Sequence, residues 1–239
     1  MPRASRAAAR GFCYHVLNRG NARAEVFHKD GNYDAFIKII AEASLRNPMR
    51  VLAYCLMSNH FHLALWPAKD GDLSRWMQWL LTTYVRRYQR HYHSNGHIWQ
   101  GRFKAFPVQE DDHLRVVLRY IERNALRAAV VERAEDWPWS SLHGASAGVT
   151  ALIRLDAGPA PRGDGWVEAV NSPMFETEVA RLRESIRRDR PLGDKIWTLA
   201  TAKELGLDTV STRGADRQSL IATDTAPAEA RCLSPKVGR

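Results

Sequence analysis

Residues 51–66 read VLAYCLM-SN-HFHLALW, two near-continuous apolar runs flanking a turn-forming Ser58-Asn59 pair. The runs are short enough for strands and too apolar for an edge facing water, so they predict a hairpin buried within a sheet. The second run opens on His60-Phe61-His62. Residues two apart in a strand point to the same face, so both imidazoles can converge on one ion while Phe61 enters the core. Neutral imidazole is the commonest protein ligand for metals, and two are rarely sufficient. The plainer alternative is a pair of histidines on a solvated strand face, and spacing alone leaves the two readings level. His91-Tyr92-His93, with His97 close behind, repeats the pattern at a helix end or loop, where spacing fixes no common face.

Working outward, FCYHVLN (12–18) predicts a strand ended by Asn18-Arg19-Gly20-Asn21. Residues 32–46 place apolar groups at 36, 37, 39, 40 and 45, an amphipathic helix closed by Asn47-Pro48. Residues 73–92 lack Gly and Pro and predict a long helix, followed by a loop from His93 to Gly101. FKAFPV (103–108) is a short strand whose Pro107 suits a sheet edge. Glu110-Asp111-Asp112 puts negative charge at the start of a helix expected to run to about Ala129. The order β-α-β-β-α-β-α predicts an α/β fold (an α+β sandwich): a ferredoxin-like split βαβ sheet with one added helix.

Past Trp137-Pro138-Trp139-Ser140-Ser141 the composition shifts to Gly, Ala, Pro and Asp. The expected organisation is a catalytic-type domain over 1–145 and a linker or irregular insert over 146–173. A small helical extension over 174–210 follows, with helices near 174–188 and 194–206, then a disordered tail over 211–239.

On the helix 112–129, Tyr120, Asn124 and Arg127 are spaced four and three apart and share one face. Leu114, Val117, Leu118 and Ile121 supply an adjacent apolar face for packing. A half-buried tyrosine and a helix-end asparagine are the ordinary alternatives. Taken with His60 and His62, however, the set has a chemistry. Two imidazoles and an amide oxygen leave open positions on a divalent cation for a phosphate oxygen, and a tyrosine hydroxyl set against that phosphodiester can attack it.

The chain has 239 residues with 35 Lys plus Arg against 26 Asp plus Glu, a net charge of +9 that calls for an anionic partner such as nucleic acid. At 45% hydrophobic it can bury a core. Cys13, Cys55 and Cys232 form no CxxC pair, which argues against a disulfide scaffold and against a thiolate zinc site. No apolar run is long enough for a membrane span, and MPRASRAAAR lacks the apolar core of a secretory signal. A cytoplasmic protein is expected. Residues 73–109 hold Arg75, Arg86, Arg87, Arg90, Arg102 and Lys104 without one acid, interleaved with Tyr88, Tyr92, Trp99 and Phe103. Cations neutralise phosphates and aromatic faces stack on unpaired bases, a composition suited to single-stranded DNA. Arg3, Arg6, Arg10, Arg19 and Arg23 extend the basic character through the first 23 residues.

Several ordered blocks also carry a resemblance. YHVLNRGNARAEVF (14–27), CLMSNHFHLALW (55–66), GHIWQGRFKAF (96–106) and YIERNALRAAVV (120–131) resemble successive segments of the single-tyrosine HUH transposases. More narrowly, they resemble those of the bacterial REP-associated tyrosine transposases within the insertion-sequence-200-like family. DWPWSS (136–141) and RPLGDKIW (190–197) resemble further blocks. Ala125 departs from the family's frequent Pro at that position, and should let the helix continue past Asn124. The resemblance implies Tyr120 as nucleophile, and Mg²⁺ or Mn²⁺ held by His60, His62 and Asn124. The DNA contacts would be Arg19, Arg23, Arg86, Arg87, Arg90, Trp99, Arg102, Lys104 and Arg127. It implies cleavage and rejoining of single-stranded DNA at hairpin-forming palindromic repeats through a 5′-phosphotyrosine. The competing readings are a non-catalytic domesticated repeat-binding protein, a replication or transfer nickase, and a water-using phosphodiesterase. Monomer and homodimer both remain open.

Overall fold

The computed structural model describes residues 9–146 and 152–207. Arg3, Arg6 and the expected disordered tail lie outside them. Four strands, β1 (Cys13–Arg19), β2 (Met49–Met57), β3 (His60–Pro67) and β4 (Lys104–Val108), form one sheet in the order β2-β3-β1-β4. Every neighbouring pair is antiparallel. Helix α1 (Asp30–Arg46) joins β1 to β2 and α2 (Asp72–Tyr92) joins β3 to β4, the expected split βαβ arrangement.

Strand alternation gives the sheet two different faces. Tyr14, Val16, Phe61, Leu63 and Leu65 pack under α1 and α2, against Phe36, Ile40, Trp76 and Leu80. Cys13, Leu52, Cys55 and Ala64 face the other way, against α3 (Asp112–Glu122). On that helix Leu114, Val117, Leu118 and Ile121 are all buried, as their spacing predicts. Asp111 caps it, accepting from the His113 N–H at 2.8 Å.

The helix does not run unbroken to Ala129. α3 ends at Glu122, Arg123 sits at φ −81°, ψ −5°, and a single turn, α4 (Asn124–Arg127), resumes. The break falls where tertiary bonds override local propensity. The Glu122 carboxylate is 1% exposed and accepts from Arg162 (2.6 Å), Ser141 (2.7 Å) and the Trp166 indole (2.6 Å). Arg123 donates to the Val170 and Asn171 carbonyls, and Arg119 to those of Ala169, Ser172 and Pro173. These guanidiniums satisfy carbonyls at the C-terminal end of α6 (Trp166–Asn171).

That helix lies inside the stretch 146–173 expected to be a linker or irregular insert. Of its described part, Ile153, Ala160, Trp166 and Val170 are buried in the two cores. Its Gly, Ala and Pro content disguised a packed segment, because one buried carboxylate and two arginines organise it rather than hydrophobic periodicity. Beyond α5 (Ser141–Ser146) and α6, helices α7 (Glu176–Arg188) and α8 (Lys195–Glu204) stand where two helices were expected.

Both sheet edges are covered. Along β2, Leu56 donates to the Trp139 carbonyl at 3.0 Å and the Trp137 indole to Leu56 at 2.8 Å, while Val51 bridges Leu155. Pro107 does lie on an edge strand, and Leu192 bonds beside it, donating to its carbonyl at 2.8 Å.

Candidate active site

The site begins with strand parity. His60 and His62 project from β3 on the face that carries Ala64, toward α3, while Phe61 goes into the opposite core. Their ring centroids lie 5.1 Å apart at 90°. The Tyr120 ring, from α3, comes within 5.7 Å of His62 and is 1% exposed. Histidines and tyrosine therefore meet within one chain. Arg127 lies over the Tyr120 ring, its guanidinium carbon 5.2 Å from the centroid.

Asn124 reaches the same region by a chain of contacts. Cys55 is the cross-strand partner of His62, so the two share a face, and the Cys55 sulfur takes a hydrogen bond from the Ala125 backbone. The Asn124 side chain is 1% exposed, and neither its Nδ2 nor its Oδ1 has a hydrogen-bond partner among the described residues. A buried amide with both ends unsatisfied is costly, and such a group needs a partner such as a water or an ion. An amide oxygen together with imidazole nitrogens is a donor set that suits a divalent cation. Among the described residues no group of three or more His, Cys, Asp and Glu is arranged to hold a metal.

Two neighbours that sequence reasoning missed set the imidazoles. Asn59 Oδ1 lies 2.6 Å from His60 Nδ1, while its Nδ2 donates to the Arg23 carbonyl at 3.3 Å. That second bond orients the amide, so Oδ1 accepts and His60 carries its proton on Nδ1. His15, on β1, places Nε2 2.9 Å from His62 Nδ1. Burial pushes the His15 pKa down to about 3, and burial followed by its imidazole and guanidinium neighbours holds His62 well below the usual range. Both rings are neutral at physiological pH. Period-two parity with Cys13 placed His15 on this face, yet its meeting with His62 depends on the β1–β3 register, which no local pattern reveals.

The turn 20–27 wraps the hairpin and holds Asn59 in place. Gly20 donates to the Asn59 carbonyl at 2.7 Å, and Val26 and Phe27 both donate to Ser58. A Cβ on Gly20 would lie 2.1 Å from the Ala24 carbonyl oxygen, so only glycine fits.

The expected DNA-contacting residues divide. Arg19 and Arg127 lie close enough for their charges to act on His62. Arg23 is half-buried in the turn beside Asn59, and Arg102 is exposed. Arg86, Arg87 and Arg90 stand on α2, across the sheet from Tyr120. Lys104 is engaged with Asp189 at 2.9 Å and with the Ile186 carbonyl. Trp99 is 7% exposed and packs on Phe61, so its ring is core and offers no stacking face. An aromatic between basic residues reads alike in sequence whether it faces water or the core. The rival His91 and His93 are exposed at the end of α2 and join no site.

Residues 9–124 match the model of the family described as transposase IS200-like, a span that contains His60, His62, Tyr120 and Asn124. Over that span the chain is similar to the IS200-like transposase family. It is also similar to the REP-associated tyrosine transposase of Escherichia coli K12, 24% identical over 136 residues, which are 56% of this chain and 77% of that one. A Haemophilus influenzae relative bearing the same name provisionally is 30% identical over 107 residues, 40% of this chain; the match spans 60% of the relative's length. A solved structure of a REP-associated tyrosine transposase bound to a REP hairpin aligns at TM-score 0.48 and 21% identity, over 66% of this chain and 97% of that one. No helix among the described residues is long and apolar enough to cross a membrane.

Proposed function

We propose that this chain is a metal-dependent endonuclease and strand transferase for single-stranded DNA. It would act on hairpin or palindromic repeat DNA through a covalent 5′-phosphotyrosine. The observation that carries the reading is the meeting of the Tyr120 ring with His62, 5.7 Å away, on a buried face that also holds His60. Packing alone has no need of two histidines, a tyrosine and an unsatisfied amide on one side of a sheet. The relatives' name, REP-associated tyrosine transposase, supports REP DNA as the substrate class.

In this reading His60, His62 and Asn124 would hold Mg²⁺ or Mn²⁺; nitrogen donors suit Mn²⁺. The bound ion would supply Lewis-acid polarisation of the scissile phosphate. The Tyr120 oxygen attacks phosphorus and gives up its proton to solvent. The bond to the 3′ oxygen breaks, and that oxygen takes a proton to become a free 3′-hydroxyl, leaving the 5′ phosphate on Tyr120. The phosphodiester energy is conserved in the new ester, so a second 3′-hydroxyl can reverse the step and join strands. Tyr120 is covered in this structure, so substrate has to displace what lies over it. Arg127, moving from the ring to a phosphate oxygen, would uncover the nucleophile and neutralise the anion in one motion.

The test incubates the protein with a labelled single-stranded hairpin oligonucleotide and Mn²⁺ or EDTA, beside Tyr120→Phe, on a denaturing gel. A protease-sensitive DNA–protein band that requires both metal and Tyr120 is the expected result. Metal-dependent cleavage that survives Tyr120→Phe means a water nucleophile and overturns the reading. Hairpin binding with no adduct in any metal means a non-catalytic repeat-binding protein.

A further inference from the structure

Each candidate ligand histidine has its Nδ1 occupied by a neighbour, and for His62 that neighbour is itself a buried histidine. We propose that His15 is the positioning residue that holds His62 in the Nδ1–H tautomer, leaving the His62 Nε2 lone pair for a divalent cation. The inference rests on the metal reading above and names the group that prepares the more buried of its two histidine ligands.

The 2.9 Å contact between His15 Nε2 and His62 Nδ1 requires one proton between the two nitrogens. Two arrangements satisfy it. If His15 donates, His62 must carry its own proton on Nε2, where it can only donate and cannot ligate. If His62 donates, His15 accepts with its proton on Nδ1, and His62 Nε2 is bare. His60 shows the second polarity without ambiguity, because its neighbour Asn59 Oδ1 has no hydrogen to give. Two ligands to one ion must both present lone pairs, so His62 takes the polarity of His60. The pair sits in a fixed frame. His15 is 2% and His62 4% exposed, their planes lie within 25°, and Phe106 and Tyr120 border the His15 ring. Neither ring can rotate without opening the core under α3. A ligand imidazole fixed through its remote N–H by a second group is a general device for orienting the ring and sharpening its basicity. Here the acceptor is an imidazole on the adjacent strand.

Long-range ¹H–¹⁵N correlation of metal-free protein labelled at histidine reads the tautomer directly. The wild type should show His62 protonated on Nδ1 and bare on Nε2. In His15→Leu the acceptor is lost, so His62 should populate the Nε2–H form, and Mn²⁺ affinity, followed by electron paramagnetic resonance, should weaken about 10- to 100-fold. His15→Gln, whose amide oxygen can accept, should restore both readouts. A wild-type His62 protonated on Nε2 overturns the inference without any variant, so a folding defect in His15→Leu cannot shield it. So does a folded His15→Leu protein with unchanged tautomer and Mn²⁺ affinity. Wild-type protein with the expected tautomer but no Mn²⁺ binding overturns the metal reading instead, and the two failures separate because the tautomer is read before metal is added.

Discussion

Asn124 is the side chain at which stability and the proposed function pull in opposite directions. Its amide is buried with neither end hydrogen-bonded among the described residues, a condition that costs stability in the metal-free fold. Asn124→Leu, close in volume and without polar atoms, should therefore raise metal-free stability by about 1–3 kcal/mol in urea denaturation while abolishing the Mn²⁺-dependent rise in melting temperature. Loss of stability in the metal-free variant would mean that the amide is satisfied in solution and is no ligand. The histidines were legible at this scale because HxH in a strand has only one geometry. Tyr120 was legible by its helix face. His15 and Asn59 were not, since what matters about each is a partner brought by register or by a loop 36 residues away from Arg23.

At the scale of elements, the fate of the tyrosine helix is decided by residues far along the chain. Glu122, one turn from the site, is a buried carboxylate whose Arg162 partner has a side chain only 18% exposed. Removing one member of such a pair leaves an uncompensated charge, a larger loss than the pair's own net worth. Arg162→Met should cost about 3–5 kcal/mol in denaturant unfolding, and Arg162→Met combined with Glu122→Gln should recover part of it. Equal losses in the single and double variants would refute the coupling. Strands and long helices were readable because hydrophobic period and turn residues fixed them, and Pro107 even announced its edge. The break at Arg123 and helix α6 were not readable, because Glu122, Arg123 and Arg119 create them through bonds to residues 141–173.

For the whole molecule, the sheet separates two basic regions. Arg19 and Arg127 border the tyrosine side, whereas Arg86, Arg87 and Arg90 lie behind it on α2, a division that a count of basic residues could not show. The meeting of Tyr120 with its own chain's histidines carries a further prediction. A mixture of His62→Ala and Tyr120→Phe proteins should form no more adduct than either alone at any ratio, as scored on a denaturing gel. Recovery of activity in the mixture would mean that the helix is exchanged between copies.

The covered edges of the sheet bear on how the molecule can be dissected. Trp137, Trp139 and Leu155 lie along β2, and Leu192 lies along β4, so the segments after the family-matched span shield the backbone groups at both margins. An excised piece limited to residues 9–124 would bare two rows of amides and carbonyls, which invite strand addition by a second copy. Aggregation of such a fragment would therefore report missing edge guards rather than a catalytic domain unable to form its sheet.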